Sequence, residues 1–511
     1  MPIAPALLIR GARAFTPGCD PHRPAVRDVL VVGDRIAAIS DPDGPPLVPP
    51  PGAEIIDARD RLLMPGLVSA HYHSYDALLK GRFEDMPFDV WALHSQPAYW
   101  GRRSKAEIRA RTLLGAMECL RNGITTIQDM NSLVPQDEET LDTILSAYAE
   151  IGIRVVFSIA LRDLPDLDIA PFMAPDLSVE AAAIIGGKPG DPAADLAFVE
   201  AQLKRLRPLP ARLHWALSPS GPQRSSTALL EGIADLSERY GLPVFTHVYE
   251  TRAQLAKARR IYGADGGSMV RHMARIGLLT PRTTLAHAVH ITEEEIALVA
   301  ESGAGVVHNP LANLKLKNGV APVAAMKRAG VRVALGCDNN SCSDCQNLFQ
   351  AMKMMSLLAA GSDAEPAGVL ACDAVEAATT GGARAVGLDA EIGTIAPGMK
   401  ADLLLLDLRD PAWLPFTSAT RQLVFSETGR GVDTVLVDGR VVVRHGRLTL
   451  LDEATYRGEL AEVMEQVEAD FARLLPRQAP AIAPLLDANA RLAAQDLGLD
   501  RLAGGGLRGR R

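Results

Sequence analysis

The feature that most constrains the fold is a strand-then-helix alternation that recurs through the middle of the chain. Short, nearly continuous apolar runs predict strands, and the amphipathic stretches between them predict helices. The eight predicted strands cover residues 67–73, 123–130, 154–161, 212–218, 243–250, 283–290, 303–309 and 332–338. Strands of this kind are parallel and buried on both faces. The pattern therefore predicts an α/β fold, a closed (β/α)8 TIM barrel with catalytic groups at the carboxyl ends of its strands.

The two ends of the chain have a different pattern. Residues 5–62 and 401–443 alternate short apolar strands with turns rich in glycine, proline and aspartate. We therefore expect residues 1–62 and 395–450 to form one composite β-sandwich domain, with the barrel domain at 63–394 inserted between them. Residues 164–192 are predicted to form an irregular loop or lid, and 451–511 a helical extension, periodic over 453–475, that ends in a tail.

Charge and composition exclude several classes of protein. A net charge of −8 over 511 residues argues against a nucleic-acid or anionic-membrane partner, which would require a basic face. No apolar run reaches the ~18 residues that a membrane span needs. The six cysteines do not form the framework of a small secreted domain. We expect a cytoplasmic protein that binds a small-molecule substrate.

Two histidines, His71 and His73, end the first predicted barrel strand. Because side chains alternate faces along a strand, the two imidazoles point the same way, one pleat apart. Such a pair can bind one metal ion, although a His-x-His sequence alone is equally compatible with a structural role.

Further donor groups fall at the ends of other predicted strands. The fifth strand carries His247, and the eighth ends in Asp338. Three imidazoles and one carboxylate suit Zn²⁺ or Fe²⁺ with a position left for water, and a divalent ion lowers the pKa of that water toward ~7. Taken singly, His247 could be a satisfied polar group and Asp338 a helix N-cap; the joint pattern favours a metal site.

Two residues are candidates for moving protons at this site. Glu250 follows His247 by three residues, and its carboxylate could take a proton from water and pass it to a leaving group. His287 lies in the sixth predicted strand and could hold the water or polarise the electrophile.

These motifs resemble those of the amidohydrolase superfamily, in the branch that holds cytosine and guanine deaminases, S-adenosylhomocysteine and adenosine deaminases, and chlorotriazine hydrolases. The motifs are PGLVSAHYH at 65–73, LKGR at 79–82, HVYE at 247–250, AHAVH at 286–290, HNPLANLKL at 308–316, GCD at 336–338 and GTIAPGMKADL at 393–403. The resemblance covers roughly residues 5–450.

The resemblance implies a ligand set and a proton-handling set. The implied metal ligands are His71, His73, His247 and Asp338, and the implied catalytic residues are Glu250, His287 and Asp338, the last doubling as a base. The fourth strand offers no lysine for carbamylation, so we expect one divalent ion per chain. Zn²⁺ is the expected ion, with Fe²⁺ and Mn²⁺ as alternatives, and a homodimer or higher homo-oligomer is the expected assembly.

Other positions bear on the substrate. Arg82, Trp91, His308 and Asn309 are the candidate substrate-binding residues. Trp91 belongs to an aromatic-rich stretch at 83–101 that either stacks on a planar ring or simply packs helices. Leu217 stands where the adenosine and S-adenosylhomocysteine deaminases are expected to have a histidine, which argues against a nucleoside substrate.

Three cysteines, Cys337, Cys342 and Cys345, lie close in sequence to Asp338. The Cys342-x-x-Cys345 spacing leaves open a redox or second-metal role beside ordinary packing.

The sequence leaves three functions to compare. The first is a metal-dependent aminohydrolase that deaminates a nitrogen heterocycle of amino-purine, pyrimidine or triazine type and releases ammonia. The second keeps the site and changes the bond, through triazine dechlorination or dealkylamination, or through cleavage of an amide, a carbamate or a cyclic ureide. The third is a metal-free scaffold or binding protein on the same barrel.

Overall fold

The computed structural model describes residues 5–165, 167–174, 177–187, 189–363 and 368–501, so the predicted tail beyond residue 501 lies outside the described residues. The strands are β1 Ala6–Ala14, β2 Val26–Val32, β3 Arg35–Ile39, β4 Glu54–Asp57, β5 Arg61–Pro65, β6 Leu67–His73, β7 Ile124–Asn131, β8 Arg154–Leu161, β9 Leu213–Trp215, β10 Ser218–Pro219, β11 Val244–Val248, β12 Thr283–His287, β13 Gly305–His308, β14 Arg332–Leu335, β15 Asp338–Asn339, β16 Leu403–Asp407, β17 Val432–Val437, β18 Arg440–Arg444 and β19 Arg447–Leu448. The α-helices are α1 Phe88–Ser95, α2 Pro97–Trp100, α3 Lys105–Arg121, α4 Glu138–Ile151, α5 Val179–Ile185, α6 Pro192–Arg205, α7 Thr227–Tyr240, α8 Arg252–Ile261, α9 Met269–Arg275, α10 Glu293–Ser302, α11 Pro310–Lys315, α12 Val323–Arg328, α13 Asn340–Ser343, α14 Leu348–Ser362, α15 Ala371–Ala378, α16 Thr380–Ala385, α17 Ala419–Phe425 and α18 Glu453–Ala494.

Strands β6 to β15 form the barrel and occupy the eight positions predicted from the sequence. Parallel ladders join β10, β8, β7, β6 and β15 in one run, and β11, β12, β13 and β14 in another. A parallel bridge from Leu217 to Val244 connects the two runs, and β14 packs beside β6 on the other side. The prediction of a parallel barrel with helices between its strands is confirmed.

The apolar character of the strands explains why they lie inside. Every residue of β6, β7, β11 and β12 is buried, as expected for parallel strands covered by helices on one side and by the barrel core on the other. The barrel interior is filled by apolar side chains, among them Val68, Ala70, Met130 and Phe245. This core fills the barrel, so the polar groups at the strand ends lie on a rigid floor.

Capping residues set the boundaries of the surrounding helices. Thr292 and Glu295 form a reciprocal capping box at the start of α10, and Gly303 ends the same helix in the left-handed conformation, with φ of 69°. The start of α4 is capped by Asp137, whose carboxylate accepts a hydrogen bond from the backbone of Thr140.

The eighth barrel position is interrupted between β14 and β15, and glycine makes the break possible. A Cβ on Gly336 would lie only 2.8 Å from the Cβ of His71 and would also collide with the side chain of Asn309. The absence of a side chain lets the chain approach β6 closely, and β15 then pairs Asp338 with Tyr72.

The two ends of the chain meet in one nine-stranded sheet. Its order is β19-β18-β17-β16-β5-β1-β2-β3, with β4 paired to β1, and the antiparallel contact of β16 with β5 places Leu404 opposite Met64. The expected partnership of the two termini is therefore present. The two-layer sandwich form and the domain boundaries after residues 62, 394 and 450 stay predictions.

The long helix α18 extends well beyond the predicted periodic stretch at 453–475. It continues through Pro476, Pro480 and Pro484, which as helix breakers would predict an earlier end. Contacts with α1, α3, α5 and α8 hold it over the carboxyl-terminal rim of the barrel. Helix α5, which packs against α18, lies inside the stretch at 164–192, so that stretch is not wholly the irregular loop that the sequence predicts.

Within the described ranges, the helices include none with the length and apolar character required to cross a bilayer.

Candidate metal centre and active site

His71 and His73 lie at the end of β6 and face a common centre, as their alternation in the strand predicts. Their ring centroids are 4.7 Å apart. The Nδ1 of His73 donates to the carbonyl of Met130 at 2.5 Å, so the neutral ring carries its lone pair on Nε2, toward the centre.

His247, near the end of β11, supplies the third imidazole. Its Nδ1 donates to the carbonyl of Ser220 at 2.5 Å, which again leaves Nε2 as the available donor atom. Its ring centroid lies 4.9 Å from that of His71 and 5.4 Å from that of His73. Three histidines from two strands far apart in sequence therefore converge.

Asp338 completes the group from the start of β15. Its Oδ1 lies 3.6 Å from Nε2 of His71 and 3.4 Å from Nε2 of His73. Asp338 has a φ of 64°, a left-handed conformation that is strained for a residue with a side chain. Strain of this kind at a strand end is typical of residues that the fold holds for function.

The electrostatics of this cluster suit a cation. Burial, reinforced by the neighbouring imidazoles, holds the pKa of His71 and of His247 well below the ordinary value, and burial lowers the pKa of His73 to about 4. The rings are thus neutral at pH 7, as metal ligands must be. Burial raises the pKa of Asp338 to about 6, and a positive ion among these groups would oppose that rise.

The donor atoms also satisfy a direct test of fit to a divalent metal. Two trios that share His71 place their donor atoms within 4.8 Å of one another: His71, His73 and His247, and His71, His287 and Asp338. Neither ring nitrogen of His71 has a hydrogen-bond partner of normal geometry among the described residues, although the ring is fully buried. A buried imidazole is expected to have a partner, and a metal ion at this centre would provide one.

Glu250 lies beside the centre, two residues beyond the end of β11. Burial raises the pKa of its carboxyl to about 8. Asn318 donates to its Oε1 at 3.1 Å, and Gln254 accepts from its backbone N–H at 2.8 Å. A carboxyl that is fixed in place and titrates near neutral pH can both accept and release a proton.

His287, the last residue of β12, links Glu250 and Asp338. Its Nδ1 donates to Asn313 at 2.8 Å, so Nε2 faces the centre, 3.9 Å from Oε1 of Glu250 and 3.7 Å from Oδ2 of Asp338. Like Asp338 it has a left-handed φ, of 72°. The candidate catalytic residues therefore adjoin one another around a single point.

A small chamber of about 20 Å³, with room for roughly one water molecule, lies above the centre. Phe88 and Trp91 of α1 form one wall, and Arg224 forms part of another. The indole N–H of Trp91 donates to Ser341 at 2.8 Å, which fixes the ring plane. Phe88 and Trp91 of the aromatic-rich stretch are thus placed beside the centre, and a substrate-binding role for Trp91 stays a prediction.

A larger outer cavity of about 730 Å³ adjoins the chamber and shares Phe88 with it. Its opposite wall is the last part of α18, including Leu486 and Asn489. Asn489 approaches the carboxylate of Asp89 at 3.5 Å, which ties this wall to α1.

Other candidate substrate-binding residues lie outside the chamber. Arg82 pairs with Glu468 of α18 and stacks 4.7 Å above the ring of Phe471, so the structure does not bring it to the site. His308 and Asn309 are buried behind His287, and the side-chain nitrogen of Asn309 is 3.5 Å from that ring.

Sequence analysis did not single out Arg224 or Asn318. Arg224 ends a single 3-10 turn and Asn318 lies in a loop, where no periodicity marks the direction of a side chain. The sequence does place Arg224 near the carboxyl end of a barrel strand, because it follows Ser218 of the fourth strand by six residues.

The cysteines near Asp338 favour packing over a redox role. Burial raises the pKa of Cys337 and Cys342 well above the ordinary value and that of Cys345 to about 11, which makes the thiolate scarce. Over the described ranges all three are free, and none belongs to a potential metal cluster.

Comparison with known proteins identifies the family. The family model described as Amidohydrolase family matches residues 62–442. The chain belongs to the amidohydrolase family. This amidohydrolase is 35% identical over 435 residues to a 5'-deoxyadenosine deaminase of Methanothermobacter thermautotrophicus, covering 85% of this chain and 93% of the relative. It is 32% identical over 446 residues to a 5-methylthioadenosine/S-adenosylhomocysteine deaminase of Moorella thermoacetica, covering 85% and 96%.

Solved structures give the same assignment. An adenosine deaminase from Xanthomonas campestris with bound zinc superposes with a TM-score of 0.78 at 26% identity, covering 92% of this amidohydrolase and 100% of that chain. An atrazine chlorohydrolase from Arthrobacter aurescens TC1 complexed with zinc has a TM-score of 0.77 at 23% identity, covering 89% and 99%, and shows the shared fold. The prediction of a hydrolase of carbon–nitrogen bonds in this family is confirmed.

Proposed function

We propose that this amidohydrolase is a metal-dependent aminohydrolase that deaminates a nitrogen heterocycle with water and releases ammonia. The observation that carries the proposal is the convergence of three neutral imidazoles and Asp338 on one centre, with Glu250 and His287 directly beside it. The deaminases among its relatives support the same reaction.

The proposed ligands of a single divalent ion are His71, His73, His247 and Asp338, whose donor atoms face the centre. Zn²⁺ is the proposed ion because imidazole and carboxylate donors suit it and because it is bound in the adenosine deaminase structure. When bound, such an ion acts as a Lewis acid and lowers the pKa of water toward ~7.

Glu250 is the proposed proton carrier. In its ionised form it takes a proton from the attacking water, and in its neutral form it gives that proton to the departing amine. Its raised pKa, of about 8, makes both forms accessible near neutral pH. Asn318 and Gln254 hold the carboxyl in place in both its ionised and its neutral form.

His287 and Asp338 have supporting roles in the proposed reaction. Since Nδ1 of His287 is committed to Asn313, its Nε2 is the atom that meets the reacting groups. Asp338, at 3.7 Å from that nitrogen, serves as a second base. Phe88 and Trp91 form the proposed platform for the ring of the substrate.

A second candidate function keeps the same site and cleaves another carbon–nitrogen bond or a carbon–chlorine bond. Leu217 favours it, because it stands where the adenosine and S-adenosylhomocysteine deaminases are expected to have a histidine. The proposed substrate is a small molecule, and a cytoplasmic location and a homodimeric or larger homo-oligomeric assembly stay predictions.

Two measurements test the proposal. Elemental analysis of the purified protein gives its metal content, and an assay of ammonia release is run with amino-purines, amino-pyrimidines and amino-triazines as substrates. We expect about one metal ion per chain and ammonia from at least one ring class. Glu250→Gln should reduce kcat by about 10²- to 10⁴-fold while metal content is unchanged. Glu301→Gln, at an exposed position near the end of α10, is the matched control and should be silent. Full turnover in Glu250→Gln would refute the proton-carrier role, and metal-free protein as isolated would refute the site.

A further inference from the structure

Arg111, in the middle of α3, is a buried cation outside the proposed active site. Only 4% of its surface is exposed. Two other arginines are buried in the described part of the chain, and each has a buried carboxylate as its partner. Arg154 pairs with Asp402, and Arg224 pairs with Asp168. Among the described residues, the guanidinium of Arg111 has no hydrogen bond and no ion pair, and its Nε is fully buried.

The carboxylates whose charge reaches Arg111 are engaged with other donors. Glu107, one turn earlier in α3, accepts from Arg103 at 2.8 and 2.9 Å. Asp129 and Asp76 accept from buried hydroxyl and backbone N–H groups. Burial lowers the pKa of Arg111, and these three carboxylates oppose that effect from a distance. None of them accepts a hydrogen bond from its guanidinium.

A cavity of about 20 Å³ lies against Arg111, with room for about one water molecule or one small ion. Its walls come from the 3-10 turn Ser74–Leu79, from α1, α2 and α3, and, through Val467, from α18. Ser95, the last residue of α1, also lines it, and the hydroxyl of Ser95 is buried without a hydrogen-bond partner among the described residues. Two residues with unpaired donors thus meet at one cavity.

These donors select the charge of an occupant. A guanidinium has five N–H donors, no acceptor and a permanent positive charge, so it repels a cation. A water molecule would accept from it but would leave its charge without a counter-ion, which is unfavourable in a buried site. Sulfate and phosphate, with four oxygens each, exceed the volume. We propose that this cavity binds one small monovalent anion of chloride size, held by Arg111 and the hydroxyl of Ser95.

The other charged groups in the wall of this cavity leave the positive charge of Arg111 in place. Arg103 and Glu107 both line it, and they neutralise each other through their ion pair. Arg103 also contacts Asp470 at 2.7 Å, but that carboxylate is shared with Arg473. The local pairs therefore do not supply a counter-ion for the guanidinium of Arg111.

The proposed anion site adjoins the wall of the chamber above the metal centre. Tyr75 lines both cavities, and its ring centroid is 5.3 Å from that of His73. An anion beside Arg111 would thus stabilise the turn that carries Tyr75. Binding of this ion does not depend on the reaction proposed above, and we expect the ion to stabilise the fold without taking part in that reaction.

The experiment is urea unfolding of the enzyme at increasing sodium chloride, with sodium gluconate keeping the ionic strength constant. Urea is required because guanidinium chloride would itself supply the ion, and gluconate is too large for the cavity. Above the Kd, the free energy of unfolding of the wild type should rise by about 1.4 kcal/mol for each tenfold increase in chloride, as expected for one ion that binds only the folded chain.

Variants of the two donor residues locate the ion. Arg111→Met should be at least as stable as the wild type without chloride, since it removes an unpaired buried charge, and it should not respond to chloride, so that the order of stability reverses as chloride is added. Ser95→Ala should raise the Kd about 10-fold. Arg121→Gln, at the exposed last residue of α3, is the matched control and should keep the response of the wild type.

Bromide-soaked crystals provide a direct readout, an anomalous peak beside Arg111 in the wild type that is missing in Arg111→Met. A wild type that does not respond to chloride, or a missing bromide peak, would overturn the proposal and leave a water molecule as the occupant. An equal response in the wild type and Arg111→Met would place the ion elsewhere. A stability difference between these two proteins that is constant at all chloride concentrations would assign Arg111 a purely structural role.

Discussion

Replacing Asp168 by asparagine would remove a carboxylate that three buried donors share. Arg224 and Lys257 would then lose the carboxylate that they share, in a site where Asp168 has no exposed surface. Breaking a buried ion pair by removing one partner costs about 3–5 kcal/mol. We expect Asp168→Asn to lower the free energy of unfolding by that amount, measured by chemical denaturation at pH 7.

An exposed pair of the same chemistry provides the control. Asp142 and Arg205 approach to 2.7 Å, but their side chains are 48% and 31% exposed, so water screens the interaction. Asp142→Asn should therefore cost less than about 1 kcal/mol. If the two variants differed by less than about 1 kcal/mol, the assignment of Asp168 as the anchor of Arg224 would be wrong.

The same variant has an expected pH dependence. Burial would raise the pKa of Asp168, but the charges of Arg224 and Lys257 outweigh it and hold the pKa below the ordinary value. A carboxyl with a depressed pKa stabilises the fold above its unfolded pKa of ~3.9, and this stabilisation is lost as pH falls through the folded value. The difference in stability between wild type and Asp168→Asn should therefore shrink below about pH 4.

Other variants test the packing around the site. Gly336→Ala should lower metal content and should lower the free energy of unfolding by about 1–3 kcal/mol, because the new methyl group would meet His71 at 2.8 Å. Gly361→Ala, which has open space around it, is the control and should have no such effect. Equal behaviour of the two variants would contradict the steric reasoning. Arg154→Met should cost about 3–5 kcal/mol in denaturant, since it leaves the buried carboxylate of Asp402 without its ion-pair partner; unchanged stability would contradict it. Dialysis against a chelator should abolish turnover and lower Tm, with Zn²⁺ restoring both, whereas turnover at negligible metal content would contradict a metal-dependent reaction.

The strand-end residues could be predicted from sequence because a short physical rule places them. A period of two along β6 puts His71 and His73 on one face, and parallel strands of a barrel end at the same rim. For this reason the sequence alone predicts that His247 and Asp338, which are far apart in the chain, lie close together in the fold. The structure adds the distances and the hydrogen bonds that orient each ring.

Residues in loops could not be placed in the same way. Arg82 lies in a family motif, and nothing in its spacing revealed the turn toward Glu468 that takes it out of the chamber. Arg224 enters the chamber through a 3-10 turn whose direction depends on a carboxylate 56 positions earlier. The length of α18 also could not be predicted from the sequence, because its internal prolines disfavour a continuous helix. Packing against the barrel helices compensates for that local preference.

The wall supplied by α18 has a consequence for biosynthesis. Asn489 meets Asp89 across a separation of 400 positions, so the outer cavity is complete only when nearly the whole polypeptide has left the ribosome. A nascent or prematurely terminated chain that stops before Pro476 would already hold every donor of the proposed metal centre, with its outer cavity open to bulk water on that side. During synthesis, the donors of the proposed metal centre are therefore present before the wall that encloses the outer cavity.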